Sequence, residues 1–338
     1  MPADCTVAIA DDLTGALEVG AKFATHGLRS IVTTKVESVR CFEAPVVVID
    51  TESRHASPGE AAMHIRRAAA MACERRAQLV YKKTDSTLRG NIAAEFEALQ
   101  EVFPNRRIVY APAYPELGRT VKDGRLFVHG IPVDESEFAN DLWSPVRESR
   151  VHALVRNVEA VVMDGECSED IAHAASLILA EAAPRICAGP AGLAGELARK
   201  IGSGTVTRFP RVARCLVVNG SLHPASIVQI AAAREAGVFD DGWKLLDEPA
   251  EGSGVERAAR VGECVRKTLD MEIFDAAIVF GGETAFGIHR ALGAEPFEAI
   301  GEIEPGVAVS RSRELIWITK AGGFGPPDIL KTIRERLR

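Results

Sequence analysis

Short apolar runs alternate along this chain with longer stretches whose apolar residues recur every three or four positions. Continuous runs at 7–10, 31–34, 46–50, 79–82, 108–111, 161–164 and 185–188 read as buried strands. Helical periods are expected from 16 to 25, from 92 to 102 and from 168 to 182. Another opens at Ser57-Pro58-Gly59-Glu60 and runs to about residue 76, with Ser57 as N-cap, Pro58 at the first helical position and Glu60 closing a capping box. Gly118-Arg119-Thr120 and Asp123-Gly124 read as turns around a β excursion at 126–128 and 131–133, and 135–151 reads as a loop.

A break at 202–204 and 209–211 looks like a linker. The strand–helix rhythm then restarts with strands at 216–218, 243–246, 277–280 and 315–319, and helices up to 236 and over 255–269. Strands alternating with helices predict an α/β fold with parallel sheets. The expectation is two α/β domains, 1–208 and 209–338, each a mainly parallel sheet flanked by helices, in agreement with 338 residues.

Composition narrows the class. A net charge of −7 argues against a nucleic-acid or membrane-surface partner, and no apolar run is long enough to span a bilayer. Met1-Pro2-Ala3-Asp4 lacks the basic and apolar regions of a signal peptide. The seven cysteines are scattered, with no CxxC or metal-ligand spacing. Reduced, mostly buried thiols and a cytoplasmic location are expected.

The chemistry concentrates where strands end, the edge at which open α/β sheets bind ligands. The first run ends in Asp11-Asp12-Leu13-Thr14-Gly15. Asp12 or Thr14 would serve as a helix cap. A cap does not account for two adjacent carboxylates, which repel unless one meets a cation, a proton or a ligand. The third strand ends in Asp50-Thr51-Glu52-Ser53-Arg54. The fourth runs into Lys83-Thr84-Asp85-Ser86-Thr87-Leu88-Arg89-Gly90-Asn91. Lys83 and Arg89 suit an anion, and Asp85 and Ser86 suit hydroxyls or a metal-bound water. Equally, Asp85 could pair with Arg89 or Lys83 while Ser86 caps the next helix. Arg119 is a further anion contact or a surface arginine.

In the second half, three strands end in small tips: Asn219-Gly220-Ser221, Gly281-Gly282-Glu283-Thr284 and Ala321-Gly322-Gly323. Glycines let backbone N–H groups approach phosphate oxygens, so three tips on one parallel edge favour a nucleotide-phosphate cradle. The chain lacks a P-loop, a G-x-G-x-x-G after a strand, a G-x-S-x-G and an H-E-x-x-H. His223 is either a phosphate contact or a cap. Gly189 to Gly195 suit either close packing or phosphate approach. A base, cations and a phosphate cradle on two closing domains are the parts that phosphoryl transfer requires.

These stretches, with Ala111-Pro112-Ala113-Tyr114-Pro115 and Lys320-Ala321-Gly322-Gly323-Phe324-Gly325, resemble the four-carbon acid sugar kinase family in order and over nearly the whole chain. The resemblance implies ATP and Mg²⁺ as cofactors, a sugar-acid substrate of threonate, erythronate or 3-oxo-tetronate type, and a reaction in the cleft between two domains, with a homodimer as a possible assembly. It places Asp11 and Asp12 as catalytic candidates. Thr14, Arg54, Lys83, Asp85, Ser86, Arg89 and Arg119 fall on the substrate side. Gly220, Ser221, Gly281, Gly282, Glu283, Thr284, Gly322 and Gly323 fall on the nucleotide side. No metal ligand is assigned. The chain departs from the family in length, in Asn219-Gly220-Ser221-Leu222-His223 where many relatives read Ser-Gly-Ser-Cys-Ser, and around 138–145, where a His-Pro stretch is missing. A non-catalytic sugar-acid sensor and a sugar-acid lyase or aldolase using Lys83 are the competing readings. The first conflicts with retention of the base candidates, the second with the glycine tips.

Overall fold

The computed structural model describes residues 5–141, 144–204, 207–247 and 254–338, so residues 142 and 143 of the departing 138–145 stretch lie outside it. The chain divides into two compact units, Met1–Gly204 and Thr205–Arg338.

In the N-terminal unit, seven parallel strands form one sheet: β1 (Thr6–Ala10), β2 (Ser30–Thr33), β3 (Val46–Asp50), β4 (Leu79–Lys83), β5 (Ile108–Tyr110), β9 (Ala160–Val162) and β10 (Arg185–Gly189). Their spatial order is β2-β3-β1-β4-β10-β5-β9. β1 therefore sits between β3, reached by moving one way, and β4, reached by crossing back. This reversal makes the carboxyl ends of β3, β1 and β4 the place for a ligand. The strands are continuous apolar runs because helices cover both faces of such a sheet. Val7, Ala8 and Ile9 have no exposed surface, and each such Val or Ile contributes about 1.5–3 kcal/mol by leaving water.

The intervening helices are α1 (Leu13–Thr25), α2 (Pro58–Glu74), α3 (Ile92–Val102), a single turn α4 (Val151–Leu154), α5 (Ser168–Ala180) and α6 (Ala191–Ile201). α2 has the expected capping box: Ser57 accepts from the Glu60 amide, and Glu60 accepts from the Ser57 amide at 3.0 Å. α1 begins three residues earlier than its apolar period suggests. Asp12 is its N-cap and accepts from the Gly15 amide at 3.1 Å, so strand and helix are joined by only two residues. The β excursion is a three-stranded antiparallel sheet of β6 (Arg119–Lys122), β7 (Arg125–Val128) and β8 (Ile131–Pro132). Arg119 and Thr120 open its first strand instead of forming a turn; the reversal falls on Gly118, at φ +72°.

The C-terminal unit has sheet order β12-β11-β13-β16-β15-β14. β11 (Cys215–Asn219), β12 (Trp243–Asp247), β13 (Ala276–Phe280) and β16 (Leu315–Lys320) are parallel, with β11, β13 and β16 contiguous. The three glycine tips therefore do share one edge. β15 (Val307–Ser312) and β14 (Phe297–Glu304) add antiparallel strands that lie outside the sequence expectations. Helices α7 (Pro224–Glu235), α8 (Gly254–Met271), α9 (Gly282–Ala291) and α10 (Ile329–Arg336) complete the unit. Its core joins Val217, Ile278 and Ile318 of the sheet to Ile230 of α7 and Ile333 of α10.

All seven cysteines are free, but only Cys187 and Cys215 are buried; Cys41, Cys73 and Cys167 are exposed. The expectation of mostly buried thiols is corrected, because these three sit on polar turns and helix ends. Among the described residues no helix is long and apolar enough to cross a membrane.

Candidate active site

At the edge of the N-terminal unit, Arg54 organises three carboxylates. It follows β3, and its guanidinium donates to both oxygens of Asp11 at 2.9 Å each. It also donates to Asp12 at 2.8 Å and lies 3.8 Å from Asp85. The adjacent aspartates coexist because one buried cation bridges them. Burial alone would raise the Asp11 pKa. Arg54, then Lys82 and Lys83, overcome it and hold the group at about 2. Asp85 follows the same logic: Arg89 and Arg54 outweigh burial and keep it well below the usual carboxylate range.

Asp85 is gripped by Arg89 at 3.1 and 2.7 Å, and Arg89 also reaches Asp141 at 3.3 Å and lies over the Phe138 ring. Of the two readings of this loop, the Asp85–Arg89 pair is therefore present. Ser86 does not cap α3, whose N-cap is Asn91. Its hydroxyl makes no hydrogen bond among the described residues. Thr14 donates to Asp12 at 2.6 Å. Arg119 is half-buried and within electrostatic reach of Asp85 and Arg89, so it belongs to this cluster and not to the open surface.

Lys83 differs from the arginines. It is 5 % exposed, yet it has no ion pair and no hydrogen-bond partner among the described residues. Its neighbour Lys82 points to the other side of β4 and is neutralised by Glu95 at 3.0 Å. A Cβ added to Gly15 would collide with Asp12 Oδ1 and lie 2.8 Å from Lys83 Nζ. The ammonium and the Asp12 carboxylate thus flank one point at the start of α1, which only a glycine leaves open.

Two carboxyls beside this network were not singled out by the sequence. Asp50, at the tip of β3, is buried, and its Oδ2 has no hydrogen-bond partner among the described residues. Burial raises its pKa to about 7, with Asp12 and Asp11 adding repulsion. Glu52, in the left-handed region at φ +46°, is raised well above its usual value by burial and by Asp50. The signal available was the pair of acids two residues apart at a strand end.

In the C-terminal unit the tips pack on one another. A Cβ on Gly220 would collide with the Thr284 hydroxyl. One on Gly322 would lie 2.6 Å from Ser221 Oγ, and one on Gly323 would lie 3.1 Å from His223 Nε2. Gly281, at φ +97°, lets the chain turn directly into α9, whose first residue is Gly282. Gly220, Ser221, Gly281, Gly282, Thr284, Gly322 and Gly323 are therefore gathered around the starts of α7 and α9. Glu283 is not: its carboxylate lies against Gly254 at the start of α8. His223 caps α7, its Nδ1 accepting from the Ala225 amide at 3.1 Å. Gly189 and Gly192 are packing glycines, facing the Ala111 carbonyl and the Tyr114 ring.

Two family models match the chain: a sugar-binding N-terminal domain over residues 6–159 and a nucleotide-binding C-terminal domain over 240–330. The chain belongs to the four-carbon acid sugar kinase family. A D-threonate kinase of Salmonella typhimurium is 28% identical, with 96% of each chain covered. A 3-oxo-tetronate kinase of Brucella melitensis is 25% identical over 94% of this chain and 92% of its own. The first alignment runs to 410 positions against 338 residues here, so it opens gaps in this chain. Among solved structures, a Haemophilus influenzae protein superposes with a TM-score of 0.74 at 19% identity, covering 98% of this chain and all of its own. A Bordetella bronchiseptica protein, 26% identical with 98% of each chain covered and a TM-score of 0.56, is a domain-swapped dimer with bound citrate. In this family framework the charged edge falls in the sugar-binding match. Of the glycine tips, those after β13 and β16 fall in the nucleotide-binding match, and the one after β11 precedes it.

Proposed function

We propose that this protein is a kinase that transfers the γ-phosphate of ATP, with Mg²⁺, to a hydroxyl of a four-carbon sugar acid of threonate, erythronate or 3-oxo-tetronate type. The observation that carries the reading is Lys83, a buried cation with no ion pair among the described residues, placed across Gly15 from the Asp12 carboxylate. A substrate carboxylate supplies the missing counter-charge, and its hydroxyl comes within reach of a base. The full-length likeness to sugar-acid kinases, and the citrate held by the Bordetella protein, support a hydroxylated carboxylate as ligand.

Of the two aspartates, Asp12 is the better base. Asp11 is held by both arms of Arg54 and is too weakly basic at a pKa near 2. Asp12 is more accessible, and Arg54 and the Thr14 hydroxyl fix its orientation. Asp12 takes the hydroxyl proton as the oxygen attacks. Lys83 and Ser86 hold the acid. Arg54, Asp85 and Arg89 act as the rigid frame behind them, and Arg119 borders it. ATP, when bound, would supply the phosphoryl group; the glycine tips suit it because their close packing on Thr284, Ser221 and His223 brings backbone together at the starts of α7 and α9, where N–H groups favour phosphate. Among the described residues no cluster of three or more Asp, Glu, His or Cys could hold a metal. Mg²⁺ keeps several waters and is commonly bound through substrate phosphates, so no protein ligand is assigned to it. A cytoplasmic homodimer is the expected form of the enzyme.

The test is ADP release from purified protein with Mg²⁺ and ATP, screened against threonate, erythronate and 3-oxo-tetronate stereoisomers. Release should depend on one acid. It should fall about 10²–10⁴-fold in Asp12→Asn, which keeps a good N-cap. Turnover without ATP, or ATP binding with no acid-dependent release, would overturn the proposal.

A further inference from the structure

Lys320 ends β16 directly beneath the 321–325 tip. It is 1% exposed. Its Nζ donates to the Ala321 carbonyl at 3.0 Å and the Gly322 carbonyl at 3.2 Å, and lies 4.3 Å from the centre of the Phe280 ring. No carboxylate pairs with it among the described residues, whereas Lys82, the other fully buried lysine, has Glu95. The titratable groups on the adjoining tips are His223 at the start of α7, Glu283 at the start of α9 and Asp247 at the end of β12. Glu283 lies against α8, and Asp247 is bonded by Asn219 and Arg234. A buried ammonium with carbonyl and ring partners but no counter-anion is costly. It persists where a ligand brings the opposite charge.

We infer that Lys320 is a positioning residue for nucleotide phosphate: it clamps the Gly322 carbonyl so that the tip presents its N–H groups outward, and its charge is balanced by the polyphosphate of the bound nucleotide. The second clamp on the same loop is Gln229 of α7, which donates to the Phe324, Gly325 and Pro326 carbonyls at 2.9, 2.8 and 3.2 Å. Ser226 adds a bond to the Gly322 carbonyl at 3.0 Å. The loop is thus held from two sides through its acceptors; the Phe324 amide is taken by the Ala321 carbonyl at 3.1 Å, and the Gly322 and Gly323 amides, which make no hydrogen bond among the described residues, are left for a ligand.

The inference rests on the nucleotide reading of this unit and adds a consequence. Burial holds the Lys320 pKa down to about 7. A polyanion favours the charged form and raises it, so nucleotide binding near pH 8 should draw a proton onto the protein. The measurement is calorimetric titration of the full-length protein with a non-hydrolysable ATP analogue and Mg²⁺ at pH 8, in two buffers of different ionisation enthalpy. Wild type should take up a fraction of a proton. Lys320→Arg, charged throughout, should bind without uptake. Lys320→Met should lose at least about tenfold in nucleotide affinity with the KM for the acid unchanged. Binding without proton uptake by wild type, or the same uptake in Lys320→Arg, sinks the inference and leaves the kinase reading standing. Absence of nucleotide binding by wild type sinks both. If Lys320→Met does not fold, the wild type and Lys320→Arg pair still decides.

Discussion

On the proposed function, the two units would bind anions in opposite ways. The edge of the N-terminal unit presents side-chain charges and acids: Arg54, Lys83, Arg89 and the five carboxyl groups of Asp11, Asp12, Asp50, Glu52 and Asp85 on the tips of three adjacent strands. The edge of the C-terminal unit presents backbone, with one buried lysine behind the loop. The difference follows from what each edge must discriminate. A small sugar acid offers a carboxylate and hydroxyls in a fixed geometry, which charged forks and carboxylates can match. Polyphosphate is recognised by close N–H groups, and a side chain there is an obstruction.

The largest test of the contrast is Arg54→Met. It leaves Asp11 buried, and Asp12 half-buried, without their shared cation. Removing one partner of a buried pair costs about 3–5 kcal/mol, so chemical denaturation should show the N-terminal unit losing most of its stability. Gln229→Ala, which removes a neutral clamp in the other unit, should cost about 1–3 kcal/mol. Equal losses in the two variants would erase the distinction between a charge-built and a backbone-built edge.

A smaller effect sharpens the division of labour. Lys83→Met should raise the KM for the acid about 10–100-fold and leave the KM for ATP unchanged. Gly322→Ala should do the reverse, by about three- to tenfold. The added methyl meets the Ser221 hydroxyl at 2.6 Å, which can rotate away, and the His223 Cβ at 3.0 Å, which must give by a few tenths of an ångström, so the fold survives while the tip is displaced. Steady-state kinetics with each substrate varied in turn reads both. A shared rise in both constants for either variant would mean that the edges do not act separately.

Much of the charged edge was legible because polar residues at the end of an apolar run announce themselves. Asp11, Lys83 and Asp85 are visible as breaks in hydrophobic runs, and the switch point that gathers them follows from strand order. Who pairs with whom was legible only in part. The Asp85–Arg89 pair was one of the options its loop offered, but three-dimensional proximity is needed to show that Arg54 is occupied by Asp11 and Asp12 and that Lys83 is left without an ion pair among the described residues. The glycine edge was legible as spacing alone. Its depth depends on Thr284, Ser221 and His223 closing on one another, and Glu283 turns away for a reason that lies in the approach of α8. β14 is a missed element of another kind. Phe297, Ala299, Gly301 and Ile303 alternate inward, but three glutamates and a glycine dilute the apolar signal below that of the parallel strands.

The smallest expected effect concerns Asp50, and it divides the charged edge by pH. Asp50 has its pKa raised to about 7 by burial and by Asp12 and Asp11. A carboxyl with a raised folded value binds more protons folded than unfolded, so its contribution to stability falls as pH rises from about 4 to about 7 and is level above. Asp85 runs the other way: held well below its usual value, it contributes above its unfolded pKa and loses that contribution as pH falls below about 4. The N-terminal unit should therefore be most stable in mildly acidic solution. Asp50→Asn keeps an oxygen for the Glu52 amide, now 2.9 Å away, and removes the buried charge. At pH 8 it should gain about 1 kcal/mol over wild type, and the gain should shrink towards pH 4 as wild-type Asp50 becomes neutral. Denaturation curves at pH 4, 6 and 8 measure it. A gain independent of pH would mean that Asp50 is already neutral, or already solvated, across the range, and the strain at this edge would then lie in Glu52.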